Sequence, residues 1–256
     1  MMDLFDSHAH LDHPRFAEDR EQILSGLAAA GVNYVMNVGC DVTSSVRSVA
    51  LAKERPGFFA AVGTHPDTAD RFSEADLALY RTLAKEPVVR AIGEIGLDYH
   101  YPDGPGKADQ MRCFAAQLEL ARELDLPVIL HEREAHGDAM DILRQFPEVT
   151  GVFHCFSGSP EMAADLVRRG WYLGFTGVVT FHNARKAVET AESIPLDRIL
   201  IETDCPYMAP EPYRGQRCDS RMIGLTAARM AEIRGISPEE LAEAATENAK
   251  RLFRIE

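Results

Sequence analysis

At 256 residues with 46% apolar side chains, the chain can bury one large core and lies near the usual length of an eight-stranded α/β barrel. A formal net charge of −13 argues against a protein that coats nucleic acid, because such a surface repels phosphate at long range. No window holds the uninterrupted apolar run of a membrane span, and no basic-then-apolar leader opens the sequence, so the expectation is a soluble cytoplasmic protein without membrane contact.

In chain order, eight short apolar runs read as strands: Leu4–His8, Val32–Val38, Phe58–Gly63, Val88–Ile92, Pro127–Leu130, Gly151–His154, Trp171–Thr176 and Ile199–Glu202. Their near-continuous apolar character suits strands covered on both faces. Helical stretches stand between most of them. Glu18–Ala30 is amphipathic and stops at Gly31, a left-handed cap. Ser73-Glu-Ala-Asp opens a helix through Leu83 with a capping-box pattern. Ala108–Leu124 repeats apolar residues at helical spacing. Ser159-Pro160-Glu161 starts a helix that closes near Gly170, and Ser237-Pro238-Glu239-Glu240 heads a last helix to about Leu252. No repeat, low-complexity tract or linker interrupts the pattern. Strand and helix alternating about eight times predicts one α/β domain over residues 1–256, a (β/α)8 TIM barrel. The doubly wound alternative lacks a glycine-rich phosphate loop after its early strands.

Active sites of such barrels open at the C-terminal ends of the strands. Here those ends carry His8 and His10, His65, Glu94 and Asp98, His131, His154, and Glu202 and Asp204. One buried polar side chain can be structural, as a hydrogen-bonded core histidine is. A ring of them around one mouth costs too much desolvation without a cation. Side chains alternate in a strand, so His8 and His10 of Asp6-Ser-His-Ala-His10 share a face. Four histidines and two carboxylates (His8, His10, Glu94, His131, His154 and Asp204) suit two divalent ions, with Glu94 the bridging carboxylate. Two metals about 3.5–4 Å apart are the usual arrangement for phosphoester hydrolysis. Mixed imidazole and carboxylate donors favour Zn, Mn, Fe or Co over purely oxygen-loving ions. The five cysteines, Cys40, Cys113, Cys155, Cys205 and Cys218, show no CxxC spacing and an odd count, which speaks against a disulfide framework. Cys155 and Cys205 follow inward-facing residues and are expected to point into the core.

The chain resembles the TatD-type metal-dependent deoxyribonucleases, within the amidohydrolase-like barrels. The matching segments are DSHAHLD (6–12), GTHP (63–66), GEIGLDYH (93–100), LPVILHER (126–133), HCFSGS (154–159), IETDCPYMAP (201–210) with RG at 214–215, and NAKRLF (248–253). The resemblance spans nearly the whole chain. It implies that His8, His10 and Asp204 hold one ion, that His131 and His154 hold the other, and that Glu94 bridges. It also implies 3′→5′ exonuclease action on DNA, a single strand or a 3′ end, usually supported by Mg. Two departures stand out. Glu132-Arg133-Glu134 follows His131 where a small residue, Arg and Asp are usual. Gln216-Arg-Cys-Asp-Ser220 replaces the usual Lys-x-Asn-Glu-Pro, which bears on substrate preference more than on chemistry.

Asp204 is the expected metal ligand and proton acceptor, with Glu94 as the second catalytic carboxylate. Glu202, two positions before Asp204, reads as a support behind the ligands, an extra ligand should a third ion bind, or a structural residue. His65, Arg133, Arg214 and Arg217 are the substrate-binding candidates, the arginines through paired donors to phosphate. Tyr99 and Tyr207 are candidates to stack on a base, His182 stands near the mouth, and His13, His100 and His136 read as surface or loop residues. Two other functions compete. Related barrels act on carboxyl esters, lactones and amides, and D-aminoacyl-tRNA is a further substrate class the resemblance raises. A non-catalytic, metal-stabilised scaffold is the third. A monomer is expected, since no helix carries a surplus apolar stripe.

Overall fold

The computed structural model describes residues 3–256. Its strands are β1 (Leu4–Ala9), β2 (Val32–Val38), β3 (Phe58–Val62), β4 (Val89–Asp98), β5 (Val128–Arg133), β6 (Gly151–Phe153), β7 (Tyr172–Phe175) and β8 (Ile199–Ile201). They are parallel and follow one another in a single sheet in chain order, with helices between them, as a (β/α)8 barrel requires. The chain divides into two compact units, residues up to 37 with residues 155–256, and residues 38–154.

In the discontinuous unit, β1 pairs with β2 from Leu4↔Val32 to Ala9↔Asn37, and β7 pairs with β8 from Leu173↔Ile199 to Phe175↔Ile201. A bridge between Ala9 and Cys205 joins the end of β1 to the segment after β8. The helices are α1 (Arg20–Gly26), α6 (Pro160–Arg168), α7 (Arg185–Ser193), α8 (Ile223–Arg234) and α9 (Pro238–Phe253). α1 is shorter than its apolar periodicity predicts, because Ala28–Ala30 tightens into a 3-10 turn before Gly31 at φ 79°. Ser159 and Ser237 cap α6 and α9, their hydroxyls accepting from the amides of Met162 and Glu240. α9 buries Leu241, Ala245, Ala249 and Leu252 against β1 and β8, and the Phe253 ring packs tilted on Phe5 of β1 with centroids 6.0 Å apart.

In the continuous unit, β3, β4, β5 and β6 pair in sequence, with Val62↔Ile92, Gly96↔His131, Asp98↔Arg133 and Val128↔Gly151 among the partners. The helices are α2 (Val42–Glu54), α3 (Glu74–Leu83), α4 (Lys107–Leu124) and α5 (His136–Leu143). Two strands run further than expected. β4 continues six residues past Ile92 to Asp98, and β5 continues past Leu130 to Arg133. Gly93 and Gly96 let two backbones approach. A Cβ on Gly96, whose φ is +145°, would sit 1.9 Å from the His131 carbonyl oxygen. Glu94, Gly96 and Asp98 therefore alternate along one continuous strand, and both carboxylates share a face.

Candidate metal centre

The first donor set stands on β1 and the turn after β8. His8 Nε2 and His10 Nε2 lie 3.1 Å apart, and Asp204 Oδ1 lies 3.8 Å from the former and 3.5 Å from the latter. All three side chains are buried or nearly so. Tetrahedral zinc with bonds near 2.0–2.1 Å places its ligands about 3.3 Å apart. The three atoms thus have the spacing of ligands around one small ion, and their chemistry fits a divalent cation.

Backbone and buried polar groups lock this set. The Asp204 amide donates to the His8 carbonyl at 2.9 Å, and the His10 amide donates to the Cys205 carbonyl at 2.9 Å. Asp6 accepts from the Thr203 amide (2.9 Å) and the Thr203 hydroxyl (2.6 Å), and Ser7 donates to the Ile201 carbonyl. Burial pushes the Asp6 carboxyl up to about 7, against the pull of its hydroxyl and amide donors. Asp204 takes φ 53°, in the left-handed region. Glu202 is fully buried and accepts from the amide of Cys155 and the hydroxyl of Ser7. Cys205 is buried, as expected, whereas Cys155 is half-exposed, its Sγ 3.5 Å from the Thr176 hydroxyl.

The second set belongs to β3–β6. Glu94 Oε1 lies 2.9 Å from both His131 Nδ1 and His154 Nε2, and those two nitrogens are 3.3 Å apart. This triangle also has ligand spacing. Asp98 Oδ2 lies 3.0 Å from His131 Nε2; a proton held between them leaves the Nδ1 lone pair for a ligand beside Glu94 and His154. A carboxylate behind a ligating imidazole is the usual device for fixing its tautomer. Burial works to raise the Asp98 carboxyl, but the His131 ring and the His100 amide outweigh it and hold it below the ordinary range. Burial likewise pulls His131 down, and Asp98 and Glu94 outweigh it upward. His65 Nε2 is 3.7 Å from Glu94 Oε1, with its ring edge-on to His131 at 4.4 Å. The sequence reading kept His65 outside the ligand set; in the structure it adjoins it.

Supporting residues went unrecognised in the sequence. Two buried glutamines of α4 clamp strand-end backbone. Gln110 accepts from the Asp98 amide and donates to the Asp98 carbonyl, both at 2.8 Å. Gln117 does the same to Thr64, at 2.7 and 3.0 Å. Their spacing of seven puts them on one helix face, the only signal that could have marked them. Asn37 similarly accepts from the Leu11 amide and donates to Asp12.

The three arginine candidates each rest on an aromatic ring. Arg133 stands beside Tyr101, Arg214 lies 4.1 Å from the Phe181 ring centroid, and Arg217 lies 4.8 Å from that of Phe16. Arg217 is also held by both carboxylate oxygens of Asp19 and by the Arg15 carbonyl. That pairing holds the Asp19 carboxyl below its usual range. Tyr99 donates to Asp138, His100 pairs with Glu134, His136 pairs with Glu132, and His182 is exposed.

A family model described as TatD related DNase matches residues 5–254. The Bacillus subtilis protein named uncharacterized metal-dependent hydrolase YabD is 42% identical over 98% of this chain and 99% of its own. The Erwinia billingiae protein named 3′-5′ ssDNA/RNA exonuclease TatD is 36% identical over 98% and 99%. The crystal structure of the Escherichia coli TatD homolog YjjV superposes with a TM-score of 0.92 at 32% identity, covering 99% of this chain and 98% of that one. A full-length family match, full-length relatives and a shared fold thus converge with the donor geometry: the chain belongs to the TatD family of metal-dependent hydrolases.

Proposed function

We propose that this hydrolase removes nucleotides from the 3′ end of single-stranded DNA by cleaving phosphodiester bonds. The observation that carries the reading is the pair of donor sets at strand ends, one of His8, His10 and Asp204, the other of Glu94, His131 and His154 with His65 beside them. Relatives named 3′-5′ ssDNA/RNA exonuclease supply the substrate class.

His8, His10 and Asp204 would hold one divalent ion and Glu94, His131 and His154 another (Zn, Mn, Co, Fe or Mg), and such ions would supply a water of lowered pKa and polarisation of the phosphoryl oxygen. Asp204 orients the attacking water and takes its proton. Glu94 holds His131 and His154 to their donor positions, and Asp98 keeps the His131 ring turned toward them. Arg133 and the exposed Arg214 bind phosphate, and His65 adds a donor beside Glu94.

The test follows a 5′-labelled single-stranded oligonucleotide with metal-loaded protein, EDTA-treated protein and Asp204→Asn. The expected result is a metal-dependent ladder shortening from the 3′ end, absent from the variant. An intact oligonucleotide with metal bound to the wild type overturns the reading.

A further inference from the structure

Beside the second donor set stands an aromatic side chain that the metal chemistry leaves unused. Tyr101 is 60% exposed, more than any other large apolar residue among the described residues. It lies in the segment after β4, directly against Arg133 at the end of β5. The Arg133 guanidinium is 5.3 Å from the Tyr101 ring centroid, and its Nη1 donates to the Tyr101 hydroxyl at 3.4 Å. The His100 ring meets Tyr101 edge-on at 4.9 Å. One side of the tyrosine is thus propped by a cation and an imidazole while most of it faces solvent.

The placement ties this pair to the chemistry. Arg133 follows His131 by two residues on one strand, so both side chains leave the same face, with Cα atoms about 6.6 Å apart. Asp98, which orients His131, is the register partner of Arg133, and the Tyr99 amide donates to the Arg133 carbonyl at 3.0 Å. The neighbouring acids have other partners: Glu134 pairs with His100 at 2.7 Å, and Asp138 accepts from Tyr99 at 2.8 Å. Lys107 adds a positive charge 4.0 Å above the Tyr99 ring. Asp98 attracts Arg133 electrostatically, but no carboxylate lies within ion-pair distance of its guanidinium among the described residues, which leaves donors for a ligand.

We propose that Tyr101 and Arg133 form a stacking platform for the base of a nucleotide whose phosphate lies at the second donor set. The proposal rests on the nucleic-acid reading above and gives it a recognition element. An exposed tyrosine face takes any base, since every base has a π-face, and a guanidinium beside it adds cation–π attraction and a phosphate donor. The platform therefore selects for an unpaired base over a paired one, and only weakly among the four bases.

The experiment measures binding and cleavage of a 5′-labelled oligonucleotide ending in a normal 3′ nucleotide, and of one whose last residue is abasic. Binding is read by fluorescence anisotropy on metal-loaded Asp204→Asn, with and without Tyr101→Ala or Tyr101→Phe. Cleavage is read on the wild type and on the single Tyr101 variants. Tyr101→Ala is expected to weaken binding by roughly 5- to 150-fold, raising KM with little change in kcat. Tyr101→Phe keeps the ring and stays near wild type. The abasic end should bind as weakly as the alanine variant does and lose nothing further from it. If Tyr101→Ala matches wild type, or costs the same on both ends, the platform is overturned while the exonuclease reading stands. Base-dependent binding through Tyr101 with no cleavage keeps the platform and overturns the exonuclease. Neither binding nor cleavage overturns both.

Discussion

Asp204 adopts φ 53°, a left-handed conformation that strains most side chains but that Asp and Asn tolerate. Asp204→Asn therefore keeps the turn after β8 while removing the carboxylate that faces His8 and His10. The melting temperature measured in EDTA should stay near wild type, and phosphodiester cleavage should fall by about 10²- to 10⁴-fold, the usual cost of a lost general base. A fall in melting temperature as large as that of a core truncation would mean that Asp204 is a structural cap instead. Asp98 offers a different readout. Its carboxylate accepts from the His100 amide and lies against His131 Nε2, with Arg133 attracting it from further off, so Asp98→Asn leaves every proposed ligand in place and lets the imidazole change tautomer or turn. Metal affinity, followed by titrating the apoprotein, is expected to drop by about 10- to 100-fold. Unchanged affinity would show that packing alone orients the ring.

β4 carries the tightest backbone constraint at the site. Gly96→Ala adds a Cβ that meets the His131 carbonyl oxygen at 1.9 Å, at a φ of +145° that L residues avoid. The strand pair must separate where it presents His131, so thermal or urea unfolding should show a loss of about 3 kcal/mol or more. A variant within 1 kcal/mol of wild type would refute the close approach. Gly96 also shows why the sequence was legible only in part. The apolar runs marked all eight strands, and the donors stood out because His, Asp and Glu recurred where those runs ended. Strand length at β4 and β5 was misread because glycine and polar residues signal turns locally, and only the partner backbone shows that they continue a ladder. Gln110 and Gln117 escaped notice because a glutamine on a helix usually faces water, and its clamp on strand backbone exists only in three dimensions. Helices α2, α5, α7 and α8 receive no bounds from the sequence and are fixed only by the structure. Arg217 is a phosphate-binding candidate in the sequence for its paired donors; its pairing with Asp19 joins residues almost two hundred positions apart, which no local pattern encodes.

At the scale of the whole molecule, the chain leaves one compact unit after residue 37 and returns to it at residue 155. Closing so long an excursion costs conformational entropy that rises only slowly with its length, so the connectivity is compatible with a single folding domain, as the sequence predicts. The sole tryptophan, Trp171, is 2% exposed and lies in the discontinuous unit, whereas far-UV circular dichroism averages over both. A single domain predicts that the two signals trace one coincident urea transition. Separate midpoints would instead identify two independently unfolding units. Divalent metal sharpens the same experiment. An ion that binds only the folded chain, present at a hundred times its Kd, adds about 2.7 kcal/mol. For a chain of this size that raises the melting temperature by roughly 5–10 °C, and EDTA should reverse it. Because each unit carries its own donor set, an ion bound to the Glu94, His131 and His154 set alone would shift circular dichroism and leave Trp171 fluorescence unmoved if the units unfolded apart. A joint shift of Trp171 fluorescence and circular dichroism upon metal addition therefore tests metal binding and single-domain cooperativity at once.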